Sequence, residues 1–361
     1  MKRLSKSIFL SVLLAILLVF TANVSAKEKV ILDTDMVESF DDGIAMIMLA
    51  KDPNIELLGV TTLSGNSWVE DGTAYAVKQL SVDGLRHIPV ASGLEYPLRA
   101  SRHANFDTER KMFGMGHDSW VGSFGLPKPA SWQAAYKQRY GQEPPYSIKD
   151  QHAVDFIIET VRNNPGEVTI AAIGPCGNLA LAVRKAPDIV PLIKRVVYMG
   201  GSFYQPGNVT PAAEFNWWFD PEATKIALHT PFKEQIIVGL DVCEKVVFTK
   251  PLYDRFVNTL SDSAHLKMLK ASFLGQNFEK NPNFKFFVWD VIVSAIIIDP
   301  QLITSSKTAY VDINTDYGLS YGQSLAYPVN KPVGTQQAKI ILDIDHDKFW
   351  DLVNNKVYWS K

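Results

Sequence analysis

Five short runs rich in β-branched residues alternate with stretches of helical character along this chain. The runs are Lys29–Leu32, Glu56–Thr62, Val168–Ile173, Arg195–Met199 and Gln235–Leu240. Between and after them lie Asp42–Ala50, Val69–Leu80, Ile148–Asn163, Leu179–Lys185 and Pro221–His229, which read as helices. Such alternation has few physical solutions, because each crossover helix must pack back onto the sheet that its flanking strands build. The expected fold class is therefore α/β, an open and mostly parallel sheet flanked by helices. Arg99–Pro145 departs from the pattern, being rich in Gly, Pro, aromatics and charge without a clear period. It reads as an insertion near the rim of one end of the sheet. Gly201–Asn216 is a second irregular stretch. A hydrophobic content of 47% suffices for a large core, and no repeat, low-complexity tract or linker divides the chain. One domain over residues 27–361 is expected.

The first 26 residues stand apart. Lys2, Arg3 and Lys6 form a positive start, Ile8 to Phe20 is apolar, and Val24-Ser25-Ala26 offers the small residues that signal peptidase accepts. A signal peptide cleaved after Ala26 is the expectation, and with it a secreted or periplasmic protein. The apolar run is short for a bilayer, and Asn23 and Ser25 follow it at once, which argues against stable membrane insertion. Net charge is −2, and removing the leader's three basic residues leaves −5. That balance provides no surface for nucleic acid or anionic lipid. Cys176 and Cys243 are the only cysteines, too few for a disulfide framework. Pairing in an exported protein and two buried free thiols both fit.

Open parallel sheets bind ligands beyond the carboxyl ends of their strands. Here the first run leads into Asp33-Thr34-Asp35 and the second into Ser64-Gly65-Asn66. The third leads into Gly174-Pro175-Cys176-Gly177-Asn178, the fourth into Met199-Gly200-Gly201 and the fifth into Asp241. Asp33, Asp35, Asp41 and Asp42 lie within ten residues. Four carboxylates in a small volume would neutralise one another by repulsion, and a hard divalent cation, Ca2+ or Mg2+, removes the conflict. A helix N-cap would account for Asp41 or Asp42 alone. It leaves the pair at the strand end unexplained. An Asp-x-Asp after a first strand also opens haloacid-dehalogenase phosphatases, with the first Asp as nucleophile. Asp41-Asp42 forms no part of that pattern, and no Lys motif or later acidic pair follows in the expected context.

Taken together, these segments resemble the inosine-uridine nucleoside hydrolase family from Val30 to about Leu352. Its opening Asp-x-Asp … Asp-Asp stands here as Asp33-Thr34-Asp35 … Asp41-Asp42, with a spacer of five residues, Met36 to Phe40, where the best-known members have three. Gly59 to Asn66 resembles the second motif, and Gly174 to Ala180 the family's Gly-Pro-Leu-Thr-Asn segment. Met199-Gly200-Gly201, Gly207-Asn208, Ala213-Glu214-Phe215-Asn216 and Asp220-Pro221-Glu222-Ala223 form its longest signature. The resemblance implies a Rossmann-like nucleoside hydrolase fold and a homo-oligomer. It also implies Ca2+ held by Asp35, Asp42, the backbone carbonyl of Gly177 and Asp290, with Asp33 supporting from behind. The Thr usual at position 177 contributes only its carbonyl, so glycine can serve. Asp41, Asn66, Asn208, Glu214 and Asn216 would grip the ribose hydroxyls, with Met199 beneath the sugar.

The implied reaction is hydrolysis of a ribonucleoside's N-glycosidic bond to free base and ribose, through a sugar of oxocarbenium character. It needs an activated water, for which Asp35 would take the proton. It needs an acidic pocket for the cationic sugar, and help for the departing base. Many members supply that help with a His just before the late metal-binding Asp, but here the segment reads Phe286-Phe287-Val288-Trp289-Asp290. Purine-specific members carry Trp at this place, so Trp289 implies catalysis by stacking and a purine preference. Trp68, Trp120, Trp217 and Trp218 would add aromatic surface or else pack in the core. His103 and His117, in the insertion, are candidate substitutes for the missing acid. A secreted phosphatase and a non-catalytic nucleoside-binding protein are the alternatives, the latter disfavoured because a pure binder has little need of Asp35.

Overall fold

Strands form where the β-branched runs lie. The computed structural model describes residues 26–37, 41–116, 119–261 and 263–360. Its strands are β1 (Glu28–Thr34), β2 (Ile55–Thr62), β3 (Val90–Ser92), β4 (Val168–Ala172), β5 (Ile193–Met199) and β6 (Gln235–Val238), then β7 (Val247–Thr249), β8 (Lys285–Phe287), β9 (Ile303–Ile313), β10 (Ser324–Tyr327) and β11 (Gln336–Ile344). Nine of them make one sheet in the order β10-β9-β11-β6-β5-β4-β1-β2-β3. From β3 to β11 the neighbours run parallel, and β9 runs antiparallel to both β11 and β10. The fold is the expected α/β class. β7 and β8 pair separately as a small antiparallel ribbon.

The strand order places the site. From β1 the chain moves outward to β2 and β3, then returns to lay β4, β5 and β6 on the other side of β1. The sheet order therefore reverses between β1 and β4, and a crevice opens beyond their carboxyl ends. In register, Asp33 of β1 stands between Thr61 of β2 and Ala172 of β4. β4 is buried along its whole length, as a central parallel strand covered on both faces must be. Two helices carry the remaining acidic residues to this end. Asp42–Lys51 and Asp290–Ile298 are buried over nearly every residue, and Ser294 Oγ donates to the Ala45 carbonyl at 3.1 Å to lock them together.

Several sequence expectations are corrected in detail. The helix expected over Ile148–Asn163 starts at Ala153, because His152 Nδ1 accepts the Val154 N–H at 3.2 Å and caps it there. The fifth run stops at Val238, and Gly239 turns the chain into the Leu240–Cys243 helix. Among its described residues the Arg99–Pro145 insertion contains two α-helices, Arg102–Phe113 and Trp132–Tyr140, and a 3-10 turn at Gly122–Gly125. A buried polar knot anchors it. Arg102 pairs with Glu109 at 2.7 Å and donates to the Trp218 carbonyl at 2.9 Å, while Trp218 Nε1 donates to Glu109 at 2.6 Å. Trp217 and Trp218 are wholly buried, so they are core and not aromatic surface for a ligand. Cys176 and Cys243 are both buried free thiols. Among the described residues no helix is long and apolar enough to cross a membrane. The expected leader, apart from Ala26, lies outside the described residues, as do His117 and spacer residues Glu38, Ser39 and Phe40.

Candidate active site

Asp35 sits just past β1, and two glycines make the room for it. A Cβ on Gly65 would lie 2.2 Å from Asp35 Oδ2, and one on Gly174 would lie 3.0 Å from Asp35 Oδ1 and 2.8 Å from its backbone nitrogen. The Asn66 N–H donates to Asp35 Oδ2 at 2.6 Å. Asp35 Oδ1 is buried without a hydrogen-bond partner. Behind it, Asp33 Oδ1 accepts from Thr61 Oγ1 at 2.6 Å and from Asn178 Nδ2 at 2.8 Å, whereas Asp33 Oδ2 has no partner. Asn178 is held in turn by the Thr62 carbonyl and the Leu94 N–H. In the sequence Asn178 is one residue of a motif with no role of its own; the structure makes it the brace of Asp33.

Asp42 and Asp290 arrive at the N-termini of the two buried helices, where the helix dipole favours a negative charge. Asp42 Oδ1 accepts from Thr34 Oγ1 at 2.5 Å, and Asp290 lies close enough to donate to Asp42. Asp41 holds the N-cap position of the Asp42–Lys51 helix but makes no cap bond there. Its carboxylate instead accepts the N–H groups of Trp289 (3.1 and 3.2 Å) and Val291 (3.2 Å), capping the helix that begins at Asp290. It does so with φ +25°, a backbone conformation that costs a non-glycine residue about 1–3 kcal/mol. The first and last parts of the site are thereby bolted together across 248 residues.

Burial drives the electrostatics. Asp35 and Asp290 are pushed well above the usual carboxylate range, first by desolvation and then by neighbouring carboxylates, including Asp42 and Glu214 in both cases. Desolvation and Asp42 raise Asp41 to about 8; desolvation, offset by hydrogen bonds, leaves Asp42 and Asp33 at about 6. This donor set fits a hard divalent cation: it is all oxygen, it repels itself, and Asp35 Oδ1 is an orphaned buried acceptor. Among the described residues, no three His, Cys, Asp or Glu side chains already stand at metal-ligating spacing. Gly177 begins the Gly177–Lys185 helix immediately before Asn178, and a Cβ there would press on Leu94 at 3.0 Å.

The other half of the site comes from the ends of β4 and β5. Asn216 Nδ2 donates to the carbonyls of Ile173 (3.0 Å) and Met199 (3.1 Å), leaving its buried Oδ1 without a partner. Met199 itself is buried beside it. Glu214 accepts the N–H groups of Gly201, Asn216 and Trp217, and desolvation raises its carboxyl to about 7. Its charge is felt by both Asp35 and Asp290, so the two halves face each other. Asn208 is exposed, with Oδ1 holding the Phe215 N–H at 2.9 Å. Trp289 is half-buried against Phe286 and Phe287, its indole N–H enclosed without a partner. Trp68 is core, with Nε1 bound to the Leu126 carbonyl, whereas Trp120 is exposed and donates to Asn66 Oδ1 at 2.9 Å. His103 is a surface residue packed edge-on against Phe124.

Comparison with known proteins agrees with this geometry. Residues 30–351 match the family model described as inosine-uridine preferring nucleoside hydrolase. The chain is 32% identical over 333 residues to the inosine-uridine preferring nucleoside hydrolase of Leishmania major, covering 90% of this chain and 96% of that protein. It is 30% identical over 347 residues to the pyrimidine-specific ribonucleoside hydrolase RihB of Escherichia coli, covering 92% and 97%. Among solved structures, a plant nucleoside hydrolase superposes with a TM-score of 0.73 at 26% identity, over 92% of this chain and 99% of that one.

Proposed function

The chain belongs to the inosine-uridine preferring nucleoside hydrolase family, an enzyme family acting on N-glycosyl bonds, and from that premise we propose a Ca2+-dependent, purine-preferring ribonucleoside hydrolase that is exported from the cytoplasm. One observation carries the reading: an unpartnered, buried Asp35 Oδ1 among mutually repelling carboxylates at the switch point of a parallel sheet. Asp35, Asp42, Asp290 and the Gly177 carbonyl are the residues that would hold the cation. When bound, it supplies the positive charge that keeps these carboxylates ionised and acidifies a water at the site.

The chain's own residues do the rest. Asp35 Oδ2 is pinned by the Asn66 N–H and Asp35 is seated in the room that Gly65 and Gly174 leave, so Oδ1 is the atom that takes the proton from water. Asn216 Oδ1, buried and unpartnered, and the Glu214 carboxylate present acceptors to the ribose hydroxyls, with Asn66, Asn208 and Asp41 on the same sugar. This acidic surround stabilises positive charge developing on the ribose. Trp289 brings no ionisable proton. It offers an aromatic face, and stacking raises the basicity of a purine so that solvent can protonate it as it leaves. Purine preference rests on that residue.

Base release from inosine, guanosine, adenosine, uridine and cytidine, with and without EDTA, tests the reading. Purine turnover is expected to exceed pyrimidine turnover, to vanish in EDTA and to return with Ca2+, and Asp35→Ala is expected to abolish it. Faster uridine cleavage would remove the purine assignment, and EDTA-resistant turnover the metal. Sedimentation of the purified protein tests the homo-oligomer, and the mass of the mature N-terminus tests cleavage after Ala26.

A further inference from the structure

The insertion reaches back to the catalytic carboxylate through one exposed side chain. Three contacts dock residues 120–123 on the turn that follows β2. Trp120 Nε1 donates to Asn66 Oδ1 at 2.9 Å, and the Ser123 N–H donates to the Gly65 carbonyl at 2.8 Å. Gly122, at φ +58°, lies so near that carbonyl that a Cβ would stand 2.2 Å from it. Val121 between them is buried, yet Trp120 remains 56% exposed. A large aromatic left in solvent and held, among the described residues, by one hydrogen bond has little value as packing.

Its value lies in what that bond does to Asn66. An indole N–H can only donate, so the Asn66 atom facing it is the amide oxygen and the two amide N–H donors face elsewhere. The Asn66 backbone is gripped independently, its N–H donating to Asp35 Oδ2 at 2.6 Å. With the backbone N–H spent on Asp35 and the amide oxygen turned to the indole, the group Asn66 turns toward a ligand is its NH2. The geometry points to Trp120 as a positioning residue that sets the polarity of Asn66, so that Asn66 donates to one ribose hydroxyl and Trp120 thereby contributes to selection for an intact ribose. This deepens the proposed function and rests on it, since it takes Asn66 to meet the sugar of a ribonucleoside. Without the indole, the amide is free to turn over and present its oxygen.

Trp120→Phe removes the N–H and keeps an aromatic ring. The test compares kcat and KM of this variant for the best ribonucleoside of the panel and for its 2′-, 3′- and 5′-deoxy analogues. The expected result is a KM raised roughly fivefold to tenfold for the ribonucleoside, the size of one hydrogen bond, with kcat within about twofold. For one of the three analogues, the one lacking the hydroxyl that Asn66 meets, the penalty disappears. Asn66→Ala abolishes the penalty as well, as coupled residues require. Trp120→His, which keeps a ring N–H, recovers part of the loss and guards against a folding defect in the Phe variant. An equal penalty on all four substrates, or one that adds to that of Asn66→Ala, would overturn the inference while leaving the hydrolase reading intact. Wild-type protein that releases no base from any ribonucleoside would remove the reading and the inference together.

Discussion

Replacing Gly65 by alanine probes how tightly Asp35, the proposed general base, is seated. The added Cβ would lie 2.2 Å from Asp35 Oδ2, 2.8 Å from its Cγ and 2.7 Å from its Cβ, where ordinary contact begins at 3.4 Å. Rotation about χ1 cannot relieve a clash with Asp35 Cβ, so the backbone of one turn or the other must yield by about 1 Å. A displacement of that size costs about 100-fold in rate, or about 2.7 kcal/mol. Loss of the Asn66 N–H bond to the carboxylate accounts for about 1.5–3 kcal/mol by itself, so the two routes agree in size. Stability should fall less in relative terms, by about 1–3 kcal/mol of overpacking. The assay is base release from a ribonucleoside alongside urea unfolding, with Gly318→Ala as the control, since a Cβ there meets nothing within 4 Å. Hydrolysis within twofold of wild type in folded Gly65→Ala protein would refute the claim that the cradle holds Asp35 in its working position.

Two further outcomes are expected. Trp289→Ala should lower kcat/KM for inosine about tenfold or more while affecting uridine less, because a base stacked on an aromatic ring is worth about 1–3 kcal/mol; equal losses for both bases would remove Trp289 from base selection. Asp312 is held below the ordinary carboxylate range: burial pushes it up, but the hydrogen bonds from Lys225, Ile313 and His229 prevail. A depressed carboxyl stabilises the fold above its unfolded value of 3.8, and that contribution is lost as pH falls through the lower folded value. Asp312→Asn should therefore cost about 1 kcal/mol at pH 7, a figure kept small by the partial exposure of Lys225 and His229. Urea unfolding should show the gap from wild type closing as pH is lowered from about 6 toward 3; a gap that widens on acidification would contradict the ion pairing.

What could be read in advance follows from how each contact is made. The parallel core was legible because β1, β4, β5 and β6 are buried on both faces and leave continuous apolar runs. β9 was not, since most of its first half is exposed and its sequence, ITSSKTAYVDI, carries no such run. β3 has three residues, too few for any period to show. The acidic cluster was legible because carboxylates crowded past a strand end have no other comfortable explanation. Asp290 and Trp289, by contrast, entered only through resemblance, since nothing local ties them to Asp41, 248 residues earlier. The contacts that turn residues into a site are of the same distant kind. Asn178 braces Asp33 across 145 residues, and Trp120 turns the Asn66 amide across 54. Gly65 is a glycine for the sake of Asp35, thirty positions before it. A residue type in a motif announces that chemistry is present, but which of its atoms is left free to act depends on partners that only the fold supplies. Asp35 shows this most plainly: one carboxylate oxygen is taken by Asn66, and the other, buried without a hydrogen-bond partner, is the one left free for the proposed water and metal.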